Sequence, residues 1–101
     1  MPDFAAIEAT LLGVVEALRH EYDVPLKQRG LCMDRPEISV LRSRPDSYTS
    51  EMRIYVKRLR DSQIVDCLEF FVFEKGRLVL TNEELRVWLV EQIADLAETE
   101  P

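Results

Sequence analysis

Residues 52–80 read MRIYVKRLRDSQIVDCLEFFVFEKGRLVL, and the fold turns on how this stretch is parsed. Met52, Ile54 and Val56 alternate with Arg53, Tyr55 and Lys57, the period of a half-buried strand. Asp61-Ser62-Gln63 breaks the pattern as a loop. Ile64 to Glu74 then forms a long run of β-branched and aromatic residues, apolar on both faces at its centre, as a central strand would be. A three-residue loop would set Ile54 opposite Phe70, Val56 opposite Leu68 and Met52 opposite Val72, making one hairpin face uniformly apolar. Lys75-Gly76 is a two-residue turn leading into Leu78-Val79-Leu80, which would place Phe73 opposite Leu78 and Phe71 opposite Leu80.

Upstream, Ile38 and Val40 alternate weakly within Glu37 to Arg42, and Pro45-Asp46 supplies a turn before Met52. Residues 23–36, DVPLKQRGLCMDRP, have no period and read as a loop, or a loop with a short turn of helix. Before them, Phe4, Ile7, Leu11, Val14, Leu18 and Tyr22 recur at steps of three and four, with Leu12 and Val15 widening the stripe. This predicts a first helix over residues 3 to about 22, with Asp3 as N-cap and Gly13 marking a close packing contact.

Downstream, Thr81 with Glu84 forms a capping box that opens a second helix running to about Leu96. One stripe carries Leu85, Trp88, Leu89, Gln92, Ile93 and Leu96, and a neighbouring one carries Val87, Val90, Ala94 and Ala97. The expected architecture is a single α+β domain over residues 1–101: two layers, ordered helix, four-stranded antiparallel meander, helix (α-β-β-β-β-α). At the level of architecture this order resembles small acidic α+β proteins such as secretion chaperones and frataxin-like domains. The acids of the first helix, Glu8, Glu16 and Glu21, are dispersed and do not form the ridge that the second family would require.

The chain has 101 residues, 47% hydrophobic and 32% charged, which are proportions of an ordinary globular domain. No apolar run approaches the roughly 20 residues needed to cross a bilayer, and acids stand in MPDFAAIEA where a secretory signal would carry bases. The expectation is a cytoplasmic protein with no membrane association. Cys32 and Cys67 lack CxxC spacing, and two free thiols suit that compartment.

No catalytic constellation is visible, and no cofactor or metal is expected. The single histidine, His20, excludes multi-histidine metal sites, and Gly13, Gly30 and Gly76 form neither a dinucleotide fingerprint nor a P-loop. Glu83 and Glu84 fall in a first helical turn, where they complement the helix dipole. Cys32 lies near Lys27, Arg29 and Arg35, a setting that favours a reactive thiolate, although an inert loop cysteine explains it as well.

Charge is distributed unevenly. Residues 1–25 carry a net −4, residues 26–60 a net +5 and residues 61–101 a net −7, within an overall −6. Two partner classes follow. Both strand faces and the outer helix stripe hold more apolar surface than one small core requires, so a non-enzymatic protein-binding or adaptor module, homodimeric, would use Phe71, Phe73, Leu78, Leu80, Val87 and Val90. Alternatively, Arg42, Arg44, Arg53, Tyr55 and Lys57 form a basic sheet surface with an aromatic, suited to nucleic acid or another anion. The acidic pI near 4.8 speaks for the first class.

Overall fold

Strand β3 (Thr49–Arg58) is the axis of the molecule, which we describe over residues 3–98 from a computed structural model. Its residues alternate without interruption: Ser50, Met52, Ile54 and Val56 are fully buried, while Glu51, Arg53, Tyr55 and Lys57 are half-exposed on the opposite face. All three helices cover the buried face. Helix α1 (Phe4–Glu21) supplies Leu11, Val15 and Leu18, the short α2 (Asp23–Gln28) supplies Leu26, and α3 (Asn82–Glu98) supplies Leu85, Leu89 and Ile93. The result is a two-layer α+β fold with one sheet face bare.

The helix boundaries follow their caps. The Asp3 carboxylate accepts from the Ala6 N–H at 3.0 Å, and Thr81 and Glu84 exchange side-chain and backbone bonds at 3.1 and 3.2 Å. Gly13 departs from expectation. It lies on the exposed side of α1, and a methyl group added there would meet nothing within 4 Å, so no close contact explains it.

The segment 23–36 contains more structure than its composition suggests. After α2 comes β1 (Leu31–Met33), paired antiparallel with β3 through Cys32 opposite Lys57. Strand β2 (Glu37–Arg42) then pairs with the other half of the same β3 edge, Glu37 opposite Arg53 and Val40 opposite Ser50. The expected first strand of the meander, Glu37 to Arg42, thus stands as β2, and β1 is an additional strand separated from it by Asp34–Pro36. Pro36 lacks the N–H that continuous pairing would use there.

Strand β4 (Ile64–Glu74) lies on the other side of β3, and β5 (Arg77–Leu78) completes the sheet. Ile54 faces Leu68 and Met52 faces Phe70, two residues away from the register expected from a three-residue loop. The hairpin closes instead with the Arg58 N–H donating to the Gln63 carbonyl, with Ser62 at φ 59 in the turn, and the ladder then shifts between Val56 and Lys57. A slip of two preserves the faces.

A second irregularity, between Ser50 and Glu51, changes them. Glu51 pairs with Phe71 but Ser50 pairs with Phe73, so Val72 is the extra residue of a β-bulge. Beyond it both Val72 and Phe73 point into the core. The two-residue Lys75-Gly76 turn stands as expected, with Phe73 opposite Leu78.

Candidate functional site

The bare face of the sheet was the candidate basic surface. Arg53, Tyr55 and Lys57 do line up along it, spaced by the pleat of β3, but acids are interleaved with the bases. Arg53 Nη2 lies 2.6 Å from Glu51 and its Nε 3.3 Å from Glu69, while Lys57 Nζ lies 2.8 Å from Asp34. The bond and charge of Lys57 hold the Asp34 carboxyl below the usual carboxylate range, and Asp34 in turn raises the Lys57 ammonium. Arg42 stands opposite Thr49, on the same face but at the far end of β3, and Arg44 lies beyond the end of β2. The five residues therefore do not form one continuous basic patch.

Both cysteines also sit on this face, Cys32 beside Lys57 on β1 and Cys67 beside Tyr55 on β4. Cys32 is part of a strand, contrary to the loop expected for it. With β3 between them their backbones stand about two strand spacings, roughly 10 Å, apart, beyond the reach of a disulfide. Both are free, and burial, followed by the charge of Glu69, pushes the Cys67 thiol up.

The six residues proposed for a protein interface are divided by the fold. Phe73 was expected on the open face with Phe71; the bulge at Val72 buries it instead against Phe4 and Tyr48, at ring-centroid distances of 4.9 and 5.7 Å. Leu80 and Val90 are half-buried against the core. Phe71, Leu78 and Val87 remain exposed, at 40%, 41% and 61%. Phe71 lies on the sheet, Val87 on α3, and Leu78 lines a surface groove of about 550 Å³ with Ile7, Thr10 and Thr81.

What the sequence conceals is the state of the sheet edges. Among the described residues no strand lies beside β4 over Ile64–Phe71 on the side away from β3, because the β5 segment bonds β4 no further than the Val72 carbonyl, which accepts from the Val79 N–H at 2.9 Å. Likewise no strand lies outside β2. Exposed apolar side chains mark both edges: Ile64, Val65 and Phe71 on β4, and Val40 and Leu41 on β2. Unpaired edges are templates for another chain unless charge, a bulge or a covering element guards them. On β4 the guards are the Asp66 carboxylate, which accepts from the Cys67 N–H at 2.8 Å, the exposed Glu69, and the ladder irregularities near either end, and none of them covers the edge itself.

A buried polar contact joins α1 to the residue before β3. Tyr48 stacks on Phe4 at 4.0 Å, and its hydroxyl is shared between the two carboxylate oxygens of Glu8 at 3.0 and 2.9 Å. Burial first, and then this bond, push the Tyr48 phenol up to about 12. The pair needs no ligand to satisfy it and reads as part of the fold. No group of three or more potential metal-ligating side chains occurs among the described residues, and no helix there is long and apolar enough to cross a membrane. Comparison with known proteins finds no match for this chain, whether among protein-family models, curated proteins or solved structures.

Proposed function

We propose that this chain is a non-enzymatic protein-binding module of the cytoplasm that self-associates as a homodimer along the open edge of β4. The observation that carries the reading is the combination of an unpaired strand from Ile64 to Phe71 with exposed Ile64, Val65 and Phe71 along it. A soluble monomer gains nothing from such an edge and risks aggregation by it. Pairing two copies antiparallel about Leu68 would set Val65 beside Phe71, and would put Asp66 opposite Phe70 and Glu69 opposite Cys67 of the other copy. Like charges are then kept from facing each other directly. The edge-to-face contact of Phe70 with Trp88, at 5.2 Å, places α3 beneath β4. The same pairing brings both copies of α3, with Val87 exposed on each, to one side of the enlarged sheet. The free thiols of Cys32 and Cys67 suit a reducing compartment.

A nucleic-acid interface on the bare sheet face draws less support, since Arg53 and Lys57 are already neutralised by Glu51, Glu69 and Asp34. Native mass spectrometry and gel filtration test the dimer. The wild-type chain is expected at twice its 11.8 kDa mass, and Phe71→Glu at the monomer mass with an unchanged circular-dichroism spectrum. A monomeric wild type at millimolar concentration would refute the self-association.

A further inference from the structure

The second open edge, that of β2, differs from the first in charge, and the difference selects its occupant. The Asp34 N–H donates to the Tyr55 carbonyl at 2.8 Å, so Tyr55 turns its backbone polar groups toward the edge shared by β1 and β2. In an antiparallel ladder this alternates, so Arg53 and Glu51 turn the same way and bond Glu37 and Ser39, their partners on β2. The N–H and C=O groups of Ile38 and Val40 consequently point outward, with no neighbouring strand to receive them. Val40 and Leu41 beside them are 50% and 54% exposed.

Residues 35–44, RPEISVLRSR, flank and form this edge with three arginines against a single acid, Glu37. Arg53, Lys57 and Arg58 in the same basic middle of the chain are engaged by acids of the fold. Arg35, Arg42 and Arg44 have no ion pair among the described residues. A second copy docking here through its own β2 would bring these arginines against their equivalents. An extended acidic segment would neutralise them while its backbone completes the ladder.

From this we infer that β2 is a strand-addition site for an extended, acidic peptide segment of a partner protein, held by the outward backbone groups of Ile38 and Val40 and by Arg35, Arg42 and Arg44. In this binding mode main-chain bonds supply affinity, while flanking side chains supply selectivity. The inference rests on the protein-binding reading but not on the β4 dimer.

Fluorescence polarisation on the full chain carrying Phe71→Glu tests it apart from dimerisation. The probe is a labelled octapeptide alternating Glu and Val, compared with its Lys-for-Glu counterpart and with a version N-methylated on alternate amides. Saturable binding of the acidic peptide is expected, weakened at least about tenfold by Arg42→Glu/Arg44→Glu, by the lysine counterpart and by N-methylation. Val40→Pro should abolish it while leaving the fold intact, because the N–H it removes faces away from β3. Equal binding of the acidic and basic peptides, or indifference to N-methylation, would overturn the inference. So would an oligothymidylate that binds more tightly and ignores Val40→Pro, which would make the arginines a nucleic-acid contact. Concentration-dependent protection of the Ile38 and Val40 amides without peptide would also overturn it, by assigning the edge to a second copy. Loss of peptide binding with an intact wild-type dimer would refute this inference and leave the dimer standing.

Discussion

A carboxylate shut away from water is costly unless something donates to it, and for Glu8, which is 8% exposed, the donor is the Tyr48 hydroxyl. Removing that hydroxyl leaves the carboxylate buried and unpaired. Tyr48→Phe should therefore cost about 2 to 4 kcal/mol, whereas the double variant Glu8→Leu/Tyr48→Phe, with neither group left over, should cost less than the single one. Denaturant melts of the double-mutant cycle measure this. The same contact predicts a pH dependence. The phenol is held at about 12, above its ordinary value near 10. The folded state thus keeps its proton more tightly than the unfolded state does. Stability from this group is complete below the unfolded value and is lost as pH rises toward the folded one, a loss of about 2 to 3 kcal/mol. Tyrosinate absorbance should show a component for Tyr48 titrating near 12, and Glu8→Leu should lower its midpoint. The signal for this pair was present in the sequence: Phe4, Glu8, Leu11, Val15 and Leu18 follow steps of four, three, four and three, so Glu8 stands on the core stripe of α1. Reading only the apolar members of that stripe passes it over.

At the scale of elements, two glycines with similar sequence prominence should respond oppositely to substitution. Gly13 sits in an open helical position, and Gly13→Ala should stabilise the protein by about 1 kcal/mol through helix propensity. Gly76, at φ +79 in the β4–β5 turn, donates its N–H to the Tyr48 carbonyl, and an added Cβ would lie 3.0 Å from the Pro45 carbonyl oxygen. Gly76→Ala should destabilise by more than about 1 kcal/mol, read by thermal melts of both variants. Elements whose signal is local were legible in this way: the Thr81–Glu84 box, the Asp3 cap, the Lys75-Gly76 turn and the alternation of β3. The bulge at Val72 was not, because a strict period of two assigns Phe71 and Phe73 to one face. Only the packing of Phe73 on Phe4 and Tyr48 favours the extra residue that separates them. Strand β1 was missed for a related reason. Three residues are too few to show a period, and their stability comes from the β3 edge and not from their own composition.

Across the whole molecule, placing every helix on one face covers one side of the sheet and leaves the outer rims of β2 and of β4 over Ile64–Phe71 without a neighbouring strand among the described residues. This is a global property, since no residue in Ile64–Phe71 announces that β5 will be only two residues long and will stop short of it. Hydrogen exchange resolves the consequence amide by amide. Ile54 and Met52 pair with Leu68 and Phe70 on buried positions of the sheet, and their amides should be the slowest. Tyr55 turns its backbone toward β1, so alternation leaves Cys67, Glu69 and Phe71 with theirs turned away from β3. The Cys67 N–H is already bonded to Asp66, which leaves Glu69 and Phe71 as the reporters. In a monomer these two amides exchange nearly as fast as an exposed loop. In a dimer paired along β4 they become protected to an extent that grows with protein concentration and disappears in Phe71→Glu, while Ile54 and Met52 stay unchanged. Protection of Glu69 and Phe71 that does not vary with concentration would show the edge closed from within the chain and would remove the basis for self-association through it.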